Sequence, residues 1–437
     1  MAIVKGRRRL LAAAVLPLVL AACTSTAGRP GPGTGTAGTP AGSGSAAPGG
    51  LRAVRHVWVI ELENQGYTQS FGTPSADPYL ARTLPQMGAL LENYYAIGHS
   101  SAANYIAQVS GQAPDLGTQS DCPVWLPFAG QIVAGPYHQV LGEGCVYPAA
   151  VPTLGNQLSA AGRSWAAYLQ DMGNDPARDT TVATARGPAC GHPATWAIDH
   201  TQKAAKGDQY AARHDGFTFF RSVTGNQAYC DAHILSFRPL PGDLTRASTT
   251  PAFSFIAPDL CDDGHDAPCV TGAPGGLAQA DAFLAQWVPK IMAAPAYRGG
   301  GLIVITFDEG SDAAGCCGET SGISPSQPNV PLPGKTGPGG GRIGAVLLSP
   351  LIRPGTVSTV AYNHYSLLRT VEDIFGLPHL GDAAMPQVRS LAPTYSANTR
   401  ARPGLPARVP RCRTPGSTTR TATVARSRTS SCRGVSS

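Results

Sequence analysis

No Walker or Rossmann glycine fingerprint precedes a helix in this sequence, so nucleotide-cofactor chemistry has no support. None of its eleven cysteines stands in the CxxC spacing of a zinc site. There is no internal repeat, and the apolar run from Leu10 to Leu20 is too short to make a comfortable transmembrane span. Acids are missing from both ends: residues 1–22 carry Lys5, Arg7, Arg8 and Arg9, and residues 400–437 carry nine arginines, with no Asp or Glu in either stretch. The formal charge of +6 therefore comes from the ends, and the body between them is net acidic. That body has no basic patch interleaved with aromatics, which argues against nucleic-acid binding.

What is present at the N-terminus has the order of an export signal. A basic start is followed by an apolar stretch and then by small residues before Cys23, within "LAAC". That tetrapeptide resembles a bacterial lipobox, so residues 1–22 are expected to be a lipoprotein-type signal and Cys23 a lipidated first residue, with simple secretion as the alternative. Residues 23–50, nearly all Gly, Ala, Thr, Ser and Pro after the cysteine, cannot bury a core and read as a flexible tether. A catalytic domain is expected over 51–395. A basic disordered tail over 396–437 would either lie on anionic surfaces or stay solvated without a partner. Ten cysteines beyond Cys23 in an exported chain favour disulfides. Cys261 and Cys269 are plausible local partners, whereas adjacent Cys316 and Cys317 are expected to reach two different cysteines, given the separation a disulfide needs.

Apolar runs at 56–62, 164–169, 251–257, 302–307 and 343–349 read as strands, and 100–110, 153–161, 278–294 and 364–375 as helices. The alternation predicts an α/β fold, a central mostly parallel sheet with helices on both faces. Long Gly- and Pro-rich segments at 112–150, 170–230 and 310–342 exceed simple connections and read as binding loops or disulfide-tied covers. Two of the strands stop on acids. "VWVIELEN" ends at Glu63 and Asn64, and "LIVITFDE" ends at Asp308 and Glu309. Carboxylates at strand ends lie on the rim where open α/β sheets gather their ligands, and there they can hold a cation.

Other chemically competent clusters would share that rim. "GHSSAANY" holds His99, Ser101 and Asn104; "APDLCDDGHD" holds Asp262, Asp263, His265 and Asp266; "YNHYSLLRTVEDIFGLP" places His364 at a helix start. Taken singly, a strand-end acid reads equally as a helix cap or a loop ion pair, and "DDGHD" as a turn. Their joint placement at separate element ends points to a site. Oxygen-rich ligands with a few imidazoles suit a hard or borderline divalent metal, whose identity the residues do not choose.

The segments "HVWVIELENQGY", "YAIGHSSAANYIAQVSG", "FIAPDLCDDGHD", "LIVITFDEG", "GRIGAVLLSPLIRPG" and "NHYSLLRTVEDIFGLPHLG" resemble, in order across 56–381, the bacterial and fungal phosphoesterase family. That family contains acid phosphatases and phospholipases C and is similar in fold to the alkaline phosphatase superfamily. The size of this chain resembles the compact acid phosphatases. Ser100 and Ala103 stand where the family often has proline.

The resemblance implies that Ser101 is the nucleophile and that Asn104 holds a phosphate oxygen. It implies metal binding by Glu63, Asn64, Asp308, Glu309 and Asp262. His265, with Asp262 or Asp266, and His364 would form the other half of the site, either as a second metal site or as catalytic contacts to phosphate and leaving group, while His99 would flank the nucleophile and, with Asp266, contact substrate. The expected activity is metal-dependent phosphomonoester hydrolysis of acid phosphatase type through a phosphoseryl intermediate, with phosphoinositides among the family's substrates. Two alternatives stand beside it: a phosphodiesterase of phospholipase C type, and a non-catalytic envelope lipoprotein that binds phosphorylated ligands. The oligomeric state is left open.

Overall fold

Continuous apolar and β-branched runs suit strands covered on both faces. In the computed structural model, which describes residues 51–132, 139–318 and 338–396, they build one ten-stranded sheet. Its strands are β1 His56–Leu62, β2 Ala89–Leu91, β3 Trp165–Leu169, β4 Val182–Thr184, β5 Gly187–Ala189, β6 Ile234–Ser236, β7 Phe253–Ala257, β8 Gly301–Phe307, β9 Ala345–Leu348 and β10 Thr356–Ser358. They lie in the order β10-β2-β9-β8-β1-β7-β3-β6-β5-β4. The expected signal at 1–22, the linker with Cys23, and residues 397–437 of the tail lie outside the described residues.

The five strands from β8 to β6 are parallel to their neighbours, so their carboxyl ends open on one edge of the sheet. β1 sits at the centre, in register with β8 from His56 opposite Gly301 to Leu62 opposite Phe307. The flanks depart from this pattern. β9 runs antiparallel to both β8 and β2, and β5 runs antiparallel to both β4 and β6. No helix of the described residues separates β8 from β9, and a parallel return would need a crossover of that kind. The sheet is therefore mixed, with a parallel middle.

Among the longer helices are α1 Ser101–Ser110, α2 Leu154–Ala160, α3 Gly276–Ala293 and α4 His364–Phe375. Every residue of α1 is buried, and it packs against α4. It stops at Gly111, whose φ of 70° suits glycine and where a Cβ would lie 2.3 Å from the Leu380 carbonyl oxygen. α2 starts on a capping box between Thr153 and Asn156, and α4 on one between Asn363 and Ser366.

Four disulfides close the described loops. Cys122–Cys145 and Cys190–Cys230 join residues 23 and 40 apart in the chain and the expected Cys261–Cys269 closes a local loop, all at Cα separations of 5.3 to 5.8 Å. Cys316 and Cys317 bridge each other, contrary to expectation. The other six described cysteines are consumed by the three longer bridges, which leaves this pair only one another; Cys412 and Cys432 lie outside the described residues. A chain so cross-linked belongs in an oxidising compartment.

Near the α1 terminus, Asp382 donates its N–H to the Gly111 carbonyl, while burial pushes its carboxyl up to about 7, partly offset by Gln139. The folded state thus keeps a proton that the unfolded chain releases near about pH 4. Stability is lost as pH rises from there through about 7. Asp382→Asn removes that loss. Thermal unfolding of variant and wild type should nearly coincide at low pH and separate in the variant's favour above neutrality.

Candidate active site

β1 and β8 both end at the edge toward which the parallel strands point, and the next residues of each turn inward. Asn64 adopts φ 59°, a left-handed conformation that Asn tolerates better than most residues. Its backbone N–H donates to Asp308 Oδ1 at 2.8 Å and its side-chain amide to Glu63 Oε2 at 3.2 Å. The two strand ends are thereby tied together, and Glu63, Asp308 and Glu309 are all buried beside them.

Ser101 opens α1 directly over this pair of strand ends. Its hydroxyl donates to Glu63 Oε2 at 2.9 Å, and Tyr105, one turn on, donates to Glu63 Oε1 at 2.8 Å. The preceding residue, Ser100, sits at φ 120°, a region that non-glycine residues seldom occupy. It is held on every side: its N–H donates to Glu309 Oε2, its hydroxyl to the Gln119 carbonyl, and its carbonyl accepts from Asn104 at 3.2 Å. Asn104 Oδ1 also accepts from the N–H groups of Ile97 and Gly98 at 2.9 and 3.1 Å, and Nδ2 donates to the Gly98 carbonyl at 2.8 Å. Both amide hydrogens are thus committed to the backbone, and in this geometry Asn104 shapes the turn that presents Ser101.

The helix N-terminus is not left open. Ser100 N–H meets Glu309, and Ala102 N–H donates to Asp121 Oδ1 at 3.0 Å. Carboxylates at that position are favoured by the partial positive charge of the helix start.

Two residues not assigned from the sequence complete the inner cluster. His214 lies in a short 3-10 turn, Ala212–His214, with Nε2 at 3.4 Å from Glu63 Oε1 and Nδ1 at 3.2 Å from Asp263 Oδ2. Its ring stacks on Tyr105 at 5.2 Å. Asp263 also accepts the His265 N–H at 2.7 Å, and its carbonyl accepts from Glu63 N–H at 2.9 Å. Asp262, expected as a ligand, faces away from this cluster. Its two oxygens are taken by the neutral amides of Gln170 and Gln279, at 2.6 and 2.7 Å. Successive residues of one turn point to opposite sides, and Asp263 is the one that turns inward.

The remaining imidazoles are placed differently. His265 Nδ1 lies 2.8 Å from Asp266 Oδ1, and its Nε2 accepts from Arg213 Nη2 at 3.1 Å. His364 is buried, with Nε2–H donating to the Asp308 carbonyl at 2.8 Å and Nδ1 accepting from Tyr94 at 3.4 Å. Burial lowers it to about 4, so it stays neutral and braces the end of β8. His99 is buried 3.7 Å from Glu309 Oε2, without a hydrogen bond.

Glu63, Asp263, Asp308 and Glu309 are crowded in this space with one nearby guanidinium, Arg213, whose Nη1 donates to the Gln202 carbonyl at 3.0 Å. Burial, followed by repulsion from Asp308 and Asp263, raises Glu63 well above the usual carboxylate range. Burial and then Glu309 raise Asp308 to about 7. Burial, Arg213 and His265 lower His214. Asp308 Oδ2, Asp263 Oδ2 and both nitrogens of His214 have no hydrogen-bond partner although they are buried. Glu63, His214 and Asp263 can each offer a ligand atom within 4.8 Å of the others. Orphaned acceptors among crowded acids fit a divalent cation, and the oxygen and imidazole donors suit a hard or borderline one. Two further Cys-containing groups with metal-like spacing are unsuitable, because Cys190, Cys230 and Cys261 are disulfide-bonded.

A model of the Phosphoesterase family matches residues 75–378. The chain belongs to the phosphoesterase family. Within this family of hydrolases, it is 25% identical over 333 residues to the phosphatidylinositol-3-phosphatase of Mycobacterium tuberculosis, covering 76% of this chain and 81% of that protein. It is 24% identical over 332 residues to an acid phosphatase of Aspergillus fumigatus, covering 75% of this chain and 56% of that one, so it spans little more than half of the fungal relative. Among solved structures, a protein in the alkaline phosphatase superfamily from Vibrio parahaemolyticus aligns over 79% of this chain and 72% of its own, with a TM-score of 0.45 and 11% identity.

The residues of this cluster that the sequence did not single out are His214, Asp263 as the inward-turned acid, Arg213 and Asp121. His214 and Arg213 share the stretch "ARHD", a cation, an imidazole and an acid in a row. That stretch was the available signal, but it lies in a long loop and not at a strand end.

Proposed function

We propose that this phosphoesterase is an exported, metal-dependent phosphomonoesterase of acid phosphatase type that works through a phosphoseryl intermediate on Ser101. The observation that carries the reading is the Ser101 hydroxyl 2.9 Å from Glu63, inside a buried group in which Asp263 Oδ2, Asp308 Oδ2 and both His214 nitrogens lack hydrogen-bond partners. Glu63, His214 and Asp263, with Asp308 beside them, would hold the metal. A bound divalent ion would supply counter-charge to the acids and lower the pKa of a serine hydroxyl.

The chain's own groups do the rest. Glu63 receives the Ser101 proton as Oγ bonds to phosphorus and the ester oxygen leaves with its electron pair. Tyr105 and Asn64 keep Glu63 oriented by hydrogen bonds to its two oxygens. Arg213 and His265 stand on the flank where negative charge on the transferring group is offset. Water then attacks phosphorus, the Oγ–P bond breaks with its electron pair on Ser101 Oγ, which takes the proton back from Glu63, and inorganic phosphate is released. Asp266 holds the His265 ring by its Nδ1, leaving Nε2 directed at Arg213.

The named relatives support a phosphate monoester, a phosphoinositide among them, as substrate. Anchoring at a lipidated Cys23 is part of the same proposal and rests on the "LAAC" motif. The deciding experiment compares an aryl phosphate monoester with the matching diester, alongside metal analysis of wild type and Asp308→Ala. Wild type should prefer the monoester. Asp308→Ala should lose bound metal and about a thousandfold or more in turnover. Preference for the diester, or full activity in the variant, would refute the reading.

A further inference from the structure

A short antiparallel ribbon flanks the candidate site. Val124 pairs with Ile198; Trp125 N–H donates to the Ala197 carbonyl at 2.9 Å, and Trp196 N–H to the Trp125 carbonyl at 2.8 Å. Trp125 turns inward, where it is buried and stacks on Phe219 at 4.7 Å. The outer side carries Leu126, Ile198 and Trp196, exposed by 44%, 61% and 70%. Trp196 also sits at φ 73°. A bulky aromatic in that region is strained, and here the strain is spent on projecting an indole into solvent.

The chain that follows adds charge of one sign. Lys203 and Lys206 are exposed, and the one acid within 194–206, Asp199, is buried and accepts from Thr201 and Gln202. An exposed indole and aliphatic pair beside unshielded cations has the composition of a surface that enters the interface of an anionic bilayer. A second copy fits poorly, since a two-fold contact would set the same lysines against each other.

The ribbon is rigidly coupled to the site. Cys122, at its base, is bonded to Cys145. Gln202 Nε2 donates to the Asp121 carbonyl at 2.8 Å, Asp121 accepts from Ala102 of α1, and Gln202 in turn accepts from Arg213. We propose that the ribbon of Leu126, Trp196 and Ile198, with Lys203 and Lys206, docks the protein on an anionic lipid surface with the Arg213 flank of the site beside the membrane.

The test uses the full chain carrying Cys23→Ser, which excludes acylation. Its sedimentation is measured with phosphatidylcholine vesicles that contain or lack phosphatidylserine. Wild-type ribbon should favour the anionic vesicles. Trp196→Asn with Ile198→Thr should weaken partitioning about tenfold or more, and Lys203→Glu with Lys206→Glu should remove the preference for phosphatidylserine. Turnover of a soluble aryl phosphate should match wild type in both variants. A second readout needs no change to the aliphatic face. Brominated phosphatidylcholine should quench tryptophan emission, and Trp196→Phe should abolish that quenching.

Equal vesicle binding by wild type and the Trp196 and Ile198 variant would place attachment at the chain ends and overturn the proposal. So would persistent quenching in Trp196→Phe, or a wild-type dimer dissolved by the ribbon variant. Vesicle binding is read without turnover, so its failure is distinct from failure of the catalytic reading.

Discussion

Ser101→Ala lowers phosphomonoester turnover by an expected ten-thousandfold or more, at about the scale seen when a nucleophile is removed from a serine hydrolase. The size of the effect follows from the absence of a substitute. The nearby hydroxyl of Ser100 is turned to the Gln119 carbonyl, and that of Tyr105 to Glu63. Alanine at 101 also leaves the fold nearly unchanged, because the hydroxyl makes one hydrogen bond and the helix start is held by Asp121 and Glu309. The variant should therefore melt close to wild type and retain its metal. A rapid-quench experiment with phosphorus-labelled monoester checks the chemical role: label should appear on the wild-type protein and be absent from the variant. Retention of more than about a tenth of the activity, a difference near 1.4 kcal/mol in barrier, would remove Ser101 from the reaction.

The central strands were legible because being covered on both faces leaves a continuous apolar run, as in "VWVIEL" and "LIVITF". The three-residue strands Ala89–Leu91, Ile234–Ser236 and Thr356–Ser358 are too short to show a period, and what defines them is their pairing with neighbouring strands. The direction of β9 was not legible either. It depends on how the chain returns from β8, which apolar pattern does not encode. In the site, Glu63, Ser101 and Asp308 stood out because each closes or opens an element, and the structure brings these three together. His214 could not stand out in the same way. It reaches Glu63 only because a short turn in a loop is packed under Tyr105 and tied by Arg213 to Gln202. The pairing of Cys316 with Cys317 likewise depends on the other six described cysteines being bonded among themselves, which spacing along the chain does not encode.

The pair Asp262 and Asp263 turns that limit into a measurement. Asp263→Ala should lose tightly bound metal and about a thousandfold in monoester turnover, since it removes an inward carboxylate from a group with Glu63 and His214. Asp262→Ala should keep its metal and stay within a few-fold of wild type in turnover, a small effect expected for a residue whose carboxylate oxygens accept from the Gln170 and Gln279 amides and face away from Glu63. Neighbours in sequence, of one chemical type, thus differ because the His265 N–H bonds to Asp263 and fixes the way the turn faces. Metal content by elemental analysis separates a lost ligand from a general loss of folding, which thermal melting of the same samples would detect. If Asp262→Ala instead empties the metal and Asp263→Ala leaves it bound, the ion is held on the other side of the turn, and the grouping of Glu63, His214 and Asp263 has some purpose other than holding it.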